Sequence, residues 1–330
     1  MKKHRSSSNI ILAVEGLKKY FPVRRGFLQS VIGWIKAVDG VDLTIHQGKT
    51  LGLVGESGCG KSTIGRLILK LLEPDEGRVM YHGQDMSGLS DEAMKPLRKE
   101  MQIIFQDPYG SLNPRMTVGQ SIEEGLRTVG MKGHGERKKK VAHLLEMVRL
   151  RPEAAAFYPH QFSGGQRQRI GIARALGVDP SLIICDEPVS ALDVSIQSQI
   201  INLLKELQNQ LGLSYLFISH DLNVVGYLSD TIAVMYLGHI MEYAPAEVFY
   251  DNPLHPYTLA LLSAIPSSEP GDRHTLPSLA GDVPSPFNPP PGCKFQGRCP
   301  LVEDRCRKEE ISLYPVRAKH LVRCWKVIGD

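Results

Sequence analysis

Long apolar runs are missing from this chain of 330 residues. None approaches the roughly 18–20 residues that span a bilayer, and the longest candidates, such as Thr231 to Gly238, are strand-sized. A role at a membrane would therefore be peripheral. The basic start, Met1-Lys2-Lys3-His4-Arg5, is followed by Ser6 to Asn9 in place of a secretory apolar core, which predicts a chain that stays in the cytoplasm. Excess charge is scarce too: a formal net charge of +4 is too small to argue for a nucleic-acid partner. The densest basic run, Arg137-Lys138-Lys139-Lys140, heads an amphipathic pattern with Val141, Leu144, Leu145 and Val148, and is expected to be a solvated helix face. No internal repeat is visible, which argues against tandem modules. What is present is ordinary for a globular protein, 42% hydrophobic and 22% charged residues, and the length suits one large domain with an addition.

Two segments carry nucleotide chemistry on their own residue types. Gly55-Glu56-Ser57-Gly58-Cys59-Gly60-Lys61-Ser62-Thr63 fits a phosphate loop, in which glycines let backbone N–H groups wrap phosphates, a lysine neutralises β/γ oxygens and a hydroxyl ligates Mg²⁺. It follows the apolar run Lys49 to Val54 and precedes a helix expected from Ser62 through Leu72, the setting this motif requires. Mixed patterns at Leu12 to Leu17, Val38 to Ile45 and Arg78 to Tyr81 predict further strands. Downstream, Leu182-Ile183-Ile184-Cys185-Asp186-Glu187 reads as a short, fully apolar strand, Leu182 to Cys185, followed by two carboxylates. Asp186 closes an apolar strand, where a carboxylate is costly without a cation, so Asp186 and Ser62 are expected to hold Mg²⁺. Glu187 faces the other way if the strand continues, placed to polarise water as general base. The same pair could be two surface charges, but the apolar run before it and the loop upstream favour the chemical reading. Strands alternating with helices, including Ile196 to Leu211 and the strand Ser214 to Ile218, imply a mainly parallel sheet covered on both faces.

A third segment, Phe162-Ser163-Gly164-Gly165-Gln166, opens a helix with a turn suited to phosphate but with no phosphate of its own. With it the chain resembles the ATP-binding subunits of ABC transporters. The resemblance implies an α/β fold: a P-loop NTPase core with a mainly parallel sheet and an antiparallel portion, plus a helical subdomain inserted at about residues 106–164. It also implies a head-to-tail dimer, in which Ser163, Gly164, Gly165 and Gln166 complete the ATP site of a second cassette. Asp193, in Ser190-Ala191-Leu192-Asp193, would couple the two sites. Gln106, in Ile103-Ile104-Phe105-Gln106-Asp107-Pro108, would sense Mg²⁺ and water and link core to insert. His220, in Ile218-Ser219-His220-Asp221, would contact the γ-phosphate. An aromatic before the first core strand would stack on adenine, Phe21 being the choice and Tyr20 its alternative.

The resemblance narrows to dipeptide and oligopeptide importers through Phe105 to Arg115, Glu187 to Ser195 and Asn252-Pro253-Leu254-His255-Pro256-Tyr257-Thr258. It implies pairing with a non-identical ATPase paralogue at the cytoplasmic membrane face, two transmembrane permease subunits and an extracytoplasmic peptide-binding protein, with no nucleic acid. Nickel chelates or oligosaccharides are alternative cargoes. A soluble ABC ATPase would show a long coiled-coil insert or tandem cassettes, and neither is seen. Nine prolines between Pro266 and Pro300 mark a boundary between the cassette, 1–265, and a small irregular Cys-rich C-terminal appendage, 266–330. Its Cys293, Cys299, Cys306 and Cys324 argue for a metal staple in a module with little core. The family pattern favours a [4Fe-4S] cluster, with Zn²⁺ as alternative and a redox-sensing regulator as a further possibility. Cys59 and Cys185 are expected to be packing residues.

Overall fold

The computed structural model describes residues 9–27, 29–107, 109–265, 284–287 and 289–328. The basic start Met1 to Arg5, Pro108 and the first part of the proline-rich segment, 266–283, lie outside the described residues. The chain divides into two compact units, one drawn from Met1–Ile11, Ile45–Lys49 and Met86–Ile218, the other from Leu12–Thr44, Thr50–Asp85 and Ser219–Asp330. Among the described residues no helix is long and apolar enough to cross a membrane.

In the first unit three parallel strands, Met101–Ile104, Leu182–Asp186 and Ser214–Ser219, lie side by side, with Ile103 opposite Ile184 and Cys185 opposite Phe217. Every residue of the last two strands is buried, because a parallel strand covered on both faces has no polar side to alternate with. The helix Val194–Leu211 turns Ile200, Leu203, Leu204 and Leu207 inward, each such side chain contributing about 1.5–3 kcal/mol by leaving water. The helix Gly164–Leu176 is buried nearly all round, so its arginines need internal acceptors. Arg167 Nε donates to Pro159 O at 2.7 Å, and Arg169 Nη1 to Val148 O at 3.0 Å. Between Gln106 and Gln161 the described residues form the helices Val118–Thr128 and His134–Met147 and two 3₁₀ turns. The second helix buries Val141, Leu144 and Leu145 and leaves Lys138 and Lys139 exposed, whereas Arg137 turns inward to Met131 O, Lys132 O and Glu123 and Lys140 pairs with Asp179, so only the middle of the basic run is a solvated face.

In the second unit Thr50–Val54 runs parallel to Thr231–Tyr236, with Val54 opposite Val234. Antiparallel strands follow, His239–Pro245, then His320–Val322, then Tyr314–Arg317, which makes the sheet mixed. Residues expected in an irregular appendage thus continue this sheet by two short strands. Glu242, fully buried, anchors the approach to them. Its oxygens accept from the amides of Leu254 and His255, both at 2.9 Å, and lie 2.7 Å from His320 Nε2, partners that a buried carboxylate requires.

A second, four-stranded sheet has the order Ser30–His46, Ile10–Arg25, Glu76–Tyr81, Gln84–Asp85. Its first two strands run well past the expected Leu12 to Leu17 and Val38 to Ile45. Their outer parts are half-exposed with no clean alternation, so no period of two marks them. The helix expected through Leu72 instead spans Lys61–Ile68. Lys70 takes φ +52°, and the amides of Leu71 and Leu72 both return to Arg66 O, which closes the helix in a turn.

Candidate functional site

The phosphate-loop pattern occupies the turn between Thr50–Val54 and Lys61–Ile68, and tertiary contacts fix its shape. Gly55 has φ +152° and Gly60 φ +113°; a Cβ at Gly55 would strike Met235 O, and one at Gly60 would strike Ala37 O. Only glycine allows this approach. Lys61 is buried, its ammonium donating to Gly55 O at 2.7 Å and Glu56 O at 3.1 Å. Gly60 caps the helix without a side-chain hydrogen bond, so the first-turn amides have no side-chain cap of their own. Ser57 and Gly58 are exposed, Ser62 and Thr63 half-buried, and Cys59 is buried, its thiol pushed up by desolvation. Cys59 and Cys185 both pack inside, as expected.

Two residues that pattern reading did not single out also touch this loop. The Glu56 amide donates to the Tyr257 hydroxyl at 3.0 Å, and the Glu56 carboxylate receives Arg298 at 2.7 and 3.1 Å. Arg298 lies 242 positions along the chain, a separation no local pattern bridges. Tyr257 lies in the stretch Asn252 to Thr258, at the start of the helix Pro256–Ser263.

In the first unit Asp186 ends its strand with 5% exposure. The strand does not continue: Glu187 takes φ +47°, rare for a residue with a side chain, and its amide donates to Ile218 O at 3.0 Å. The turn, rather than strand alternation, separates the two carboxylates. Glu187 Oε2 accepts from Gln106 Nε2 at 3.2 Å, which joins two residues 81 positions apart. Ser190 Oγ donates to Glu187 O at 3.1 Å and holds the turn from behind.

Ser163 is the N-cap of Gly164–Leu176, exposed and extended, and forms a capping box with Gln166. Gln166 N donates to Ser163 Oγ at 3.4 Å, and Ser163 N to Gln166 Oε1 at 3.0 Å. Gly165 packs against Ile196, and Asp193 is the exposed N-cap of Val194–Leu211. His220, exposed, follows the strand Ser214–Ser219 and precedes Asp221, which caps the helix Leu222–Leu228. Tyr20 and Phe21 are both half-buried on the strand Ile10–Arg25. The Tyr20 hydroxyl donates to Asp39 Oδ1 at 2.5 Å, and burial followed by that bond raises its phenol above the ordinary range.

The four C-terminal cysteines do not make the expected centre. Among the described residues no group of three or more His, Cys, Asp or Glu side chains could hold a metal ion, which overturns the [4Fe-4S] site and its Zn²⁺ alternative. All four are free cysteines; with Phe295, Ile311 and Trp325 they line a small pocket. Desolvation pushes the Cys293 thiol up to about 11 and raises Cys299 and Cys324 as well.

Comparison with known proteins places the chain in a family. Residues 38–190 match the family described as ABC transporter, and residues 241–306 the family described as Oligopeptide/dipeptide transporter, C-terminal region. The chain is 51% identical over 322 residues to the oligopeptide transport ATP-binding protein AppF of Bacillus subtilis, covering 97% of this chain and 98% of that one. It is 51% identical over 314 residues to a putative peptide import ATP-binding protein of Brucella ovis, covering 95% and 97%. Among solved structures, the ATP-binding cassette MJ0796, a dimer in a post-hydrolysis state bound to ADP and Pi, superposes with TM-score 0.64 at 30% identity, covering 71% of this chain and 98% of that one. The cbiO1 protein of Clostridium perfringens gives TM-score 0.62 at 27% identity, covering 74% and 92%.

Proposed function

The chain belongs to the ABC transporter ATP-binding proteins, and from that premise we propose that it is the ATP-hydrolysing subunit of an importer of oligopeptides or dipeptides. The observation that carries the reading is the buried Lys61 ammonium held by two loop carbonyls at the start of a helix whose first-turn amides lack a side-chain cap. Such a start, positive through both its dipole and its lysine, suits a polyphosphate.

Lys61 neutralises β/γ oxygens, and the amides of Gly55 to Thr63 wrap the phosphates. Phe21, or Tyr20 beside it, stacks on the adenine. The donor set fits Mg²⁺: Asp186 is a buried carboxylate oxygen, and Ser62 and Gln106 add neutral oxygen donors. Bound there, Mg²⁺ would neutralise charge developing on the phosphates. Glu187 orients and deprotonates the attacking water, and its contact with Gln106 supports that role by fixing the carboxylate's direction. His220 contacts the γ-phosphate.

The turn Ser163 to Gln166 serves a second cassette's nucleotide, and Asp193 couples the two sites. The partner is a related, non-identical ATPase. Two permease subunits receive the motion through a helical subdomain at about residues 106–164, and an external binding protein delivers peptide. The chain then works as a peripheral protein at the cytoplasmic membrane face, with the cassette as residues 1–265 and the extension as 266–330.

Glu187→Gln tests the assignment. With the partner subunit present, turnover should fall about 10²–10⁴-fold while ATP binding persists and the closed dimer accumulates on gel filtration. Near-parental turnover would remove Glu187 as base.

A further inference from the structure

The loop Gly55 to Thr63 contains three glycines at positive φ, Gly55, Gly58 and Gly60, so many backbone conformations are open to it. Some restraint must select the one that presents its amides. Lys61 supplies part of it from within, and Glu56 receives the rest from outside.

The Glu56 amide is held by the Tyr257 hydroxyl at 3.0 Å, and its carboxylate accepts from Arg298 Nη1 and Nη2 at 2.7 and 3.1 Å. The pair is bidentate, with side-chain exposures of 6% for Arg298 and 24% for Glu56, so water screens it little and the planar fork fixes its direction. Arg298 is itself seated. Its amide donates to Phe295 O at 3.0 Å, and its guanidinium stands 5.9 Å from the Tyr236 ring centre. Phe295 packs on Tyr236 and Tyr257 with ring centres 5.4 and 5.3 Å apart. Tyr236 ends the strand that runs beside Thr50–Val54. The C-terminal segment, the Tyr257 helix and the core strand therefore converge on one loop residue.

We infer that Arg298 is a positioning residue for nucleotide binding: through Glu56 it presets the phosphate loop, and the C-terminal segment thereby sets the affinity for ATP. The inference rests on reading Gly55 to Thr63 as the nucleotide cradle. Glu56 O is one of the two carbonyls that orient the Lys61 ammonium, so the fork that fixes Glu56 also aims the lysine. If the loop without Arg298 is competent about a tenth of the time, the dissociation constant for ATP rises about tenfold. Bound nucleotide reorders the loop, so the loss falls on KM and leaves kcat nearly as it was.

The test is calorimetric titration of the full chain with Mg-ATP, using Arg298→Met, Arg298→Lys, Glu56→Gln and the double variant Arg298→Met/Glu56→Gln. Each of Arg298→Met and Glu56→Gln should weaken binding about tenfold. The double variant should be no worse than either alone, because both cut one link. Arg298→Lys should fall between, since a point charge replaces a fork. A general structural role would instead make the losses add in the double variant, and that result overturns the inference. Parental affinity in Arg298→Met, with binding lost in Lys61→Ala, also overturns it and leaves the cradle reading intact; parental affinity in Lys61→Ala removes the cradle reading itself. Should Arg298→Met not fold, parental affinity in Glu56→Gln is enough to reject the proposal.

Discussion

Two of the glycine-bearing helix starts solve the problem of orphan amides in opposite ways. At Lys61–Ile68 the cap is Gly60 in the left-handed region, with no side-chain bond and with a buried lysine beside it. At Gly164–Leu176 the cap is Ser163 in extended conformation, with Gln166 returning its bond, on an exposed turn. The first start has no side-chain bond from its cap and is tied down by distant residues, Tyr257 and Arg298. The second is satisfied locally and stays accessible. A helix start held by its surroundings can do without a side-chain cap, whereas an exposed one is kept formed by a capping box.

The largest expected contrast is in nucleotide binding by the separate chain. Lys61→Ala should weaken ATP binding by more than about 100-fold, since charge-assisted bonds to phosphate vanish, whereas Ser163→Ala should lower turnover only when a partner subunit is present. Equal losses of binding in the two variants would erase the distinction. Gly55→Ala, with its Cβ driven into Met235 O, should destabilise by about 3 kcal/mol. Gly164→Ala meets only the movable end of Leu192 at 3.2 Å and should change stability by less than about 1 kcal/mol in urea melts.

Acid offers a third contrast, because the support beneath the phosphate loop includes a buried histidine. Desolvation pushes His255 down to about 3, while its Nδ1 accepts from the Tyr257 amide at 3.0 Å. In the unfolded chain it titrates near about 6.5, so the unfolded state binds the extra proton between those values and stability falls as pH drops. From pH 7 to 5 this group alone removes about 2 kcal/mol, and His255→Asn should flatten that slope in denaturant titrations. Ser163→Ala should cost folding only about 1 kcal/mol for a lost cap, read as a shift in the urea midpoint.

Much of the site could be read from local order. Gly55 to Thr63 sits between strand and helix, and Leu182 to Asp186 is an all-buried strand ending in a carboxylate, because loop chemistry and apolar runs are properties of neighbouring residues. The Ser163 capping box was also available, since Ser and Gln three positions apart are its signature. For Glu187 the strand does not continue, and its left-handed turn had no local signal, since a following proline favours extended backbone. The cysteines show the limit from the other side: four thiols in a proline-rich segment supply ligand types, but only folding sets ligand distances, and no metal group forms among the described residues.

The residues in their linear order determined the phosphate loop, the buried carboxylate strand and the capped turn, because each is a short-range matter of glycine freedom, apolar continuity or side-chain reach. Tertiary structure alone decided that Gln106 meets Glu187 and that Arg298 grips Glu56. Those contacts join residues 81 and 242 positions apart, and pairings at such separations follow from how strands and helices pack, which no local pattern encodes.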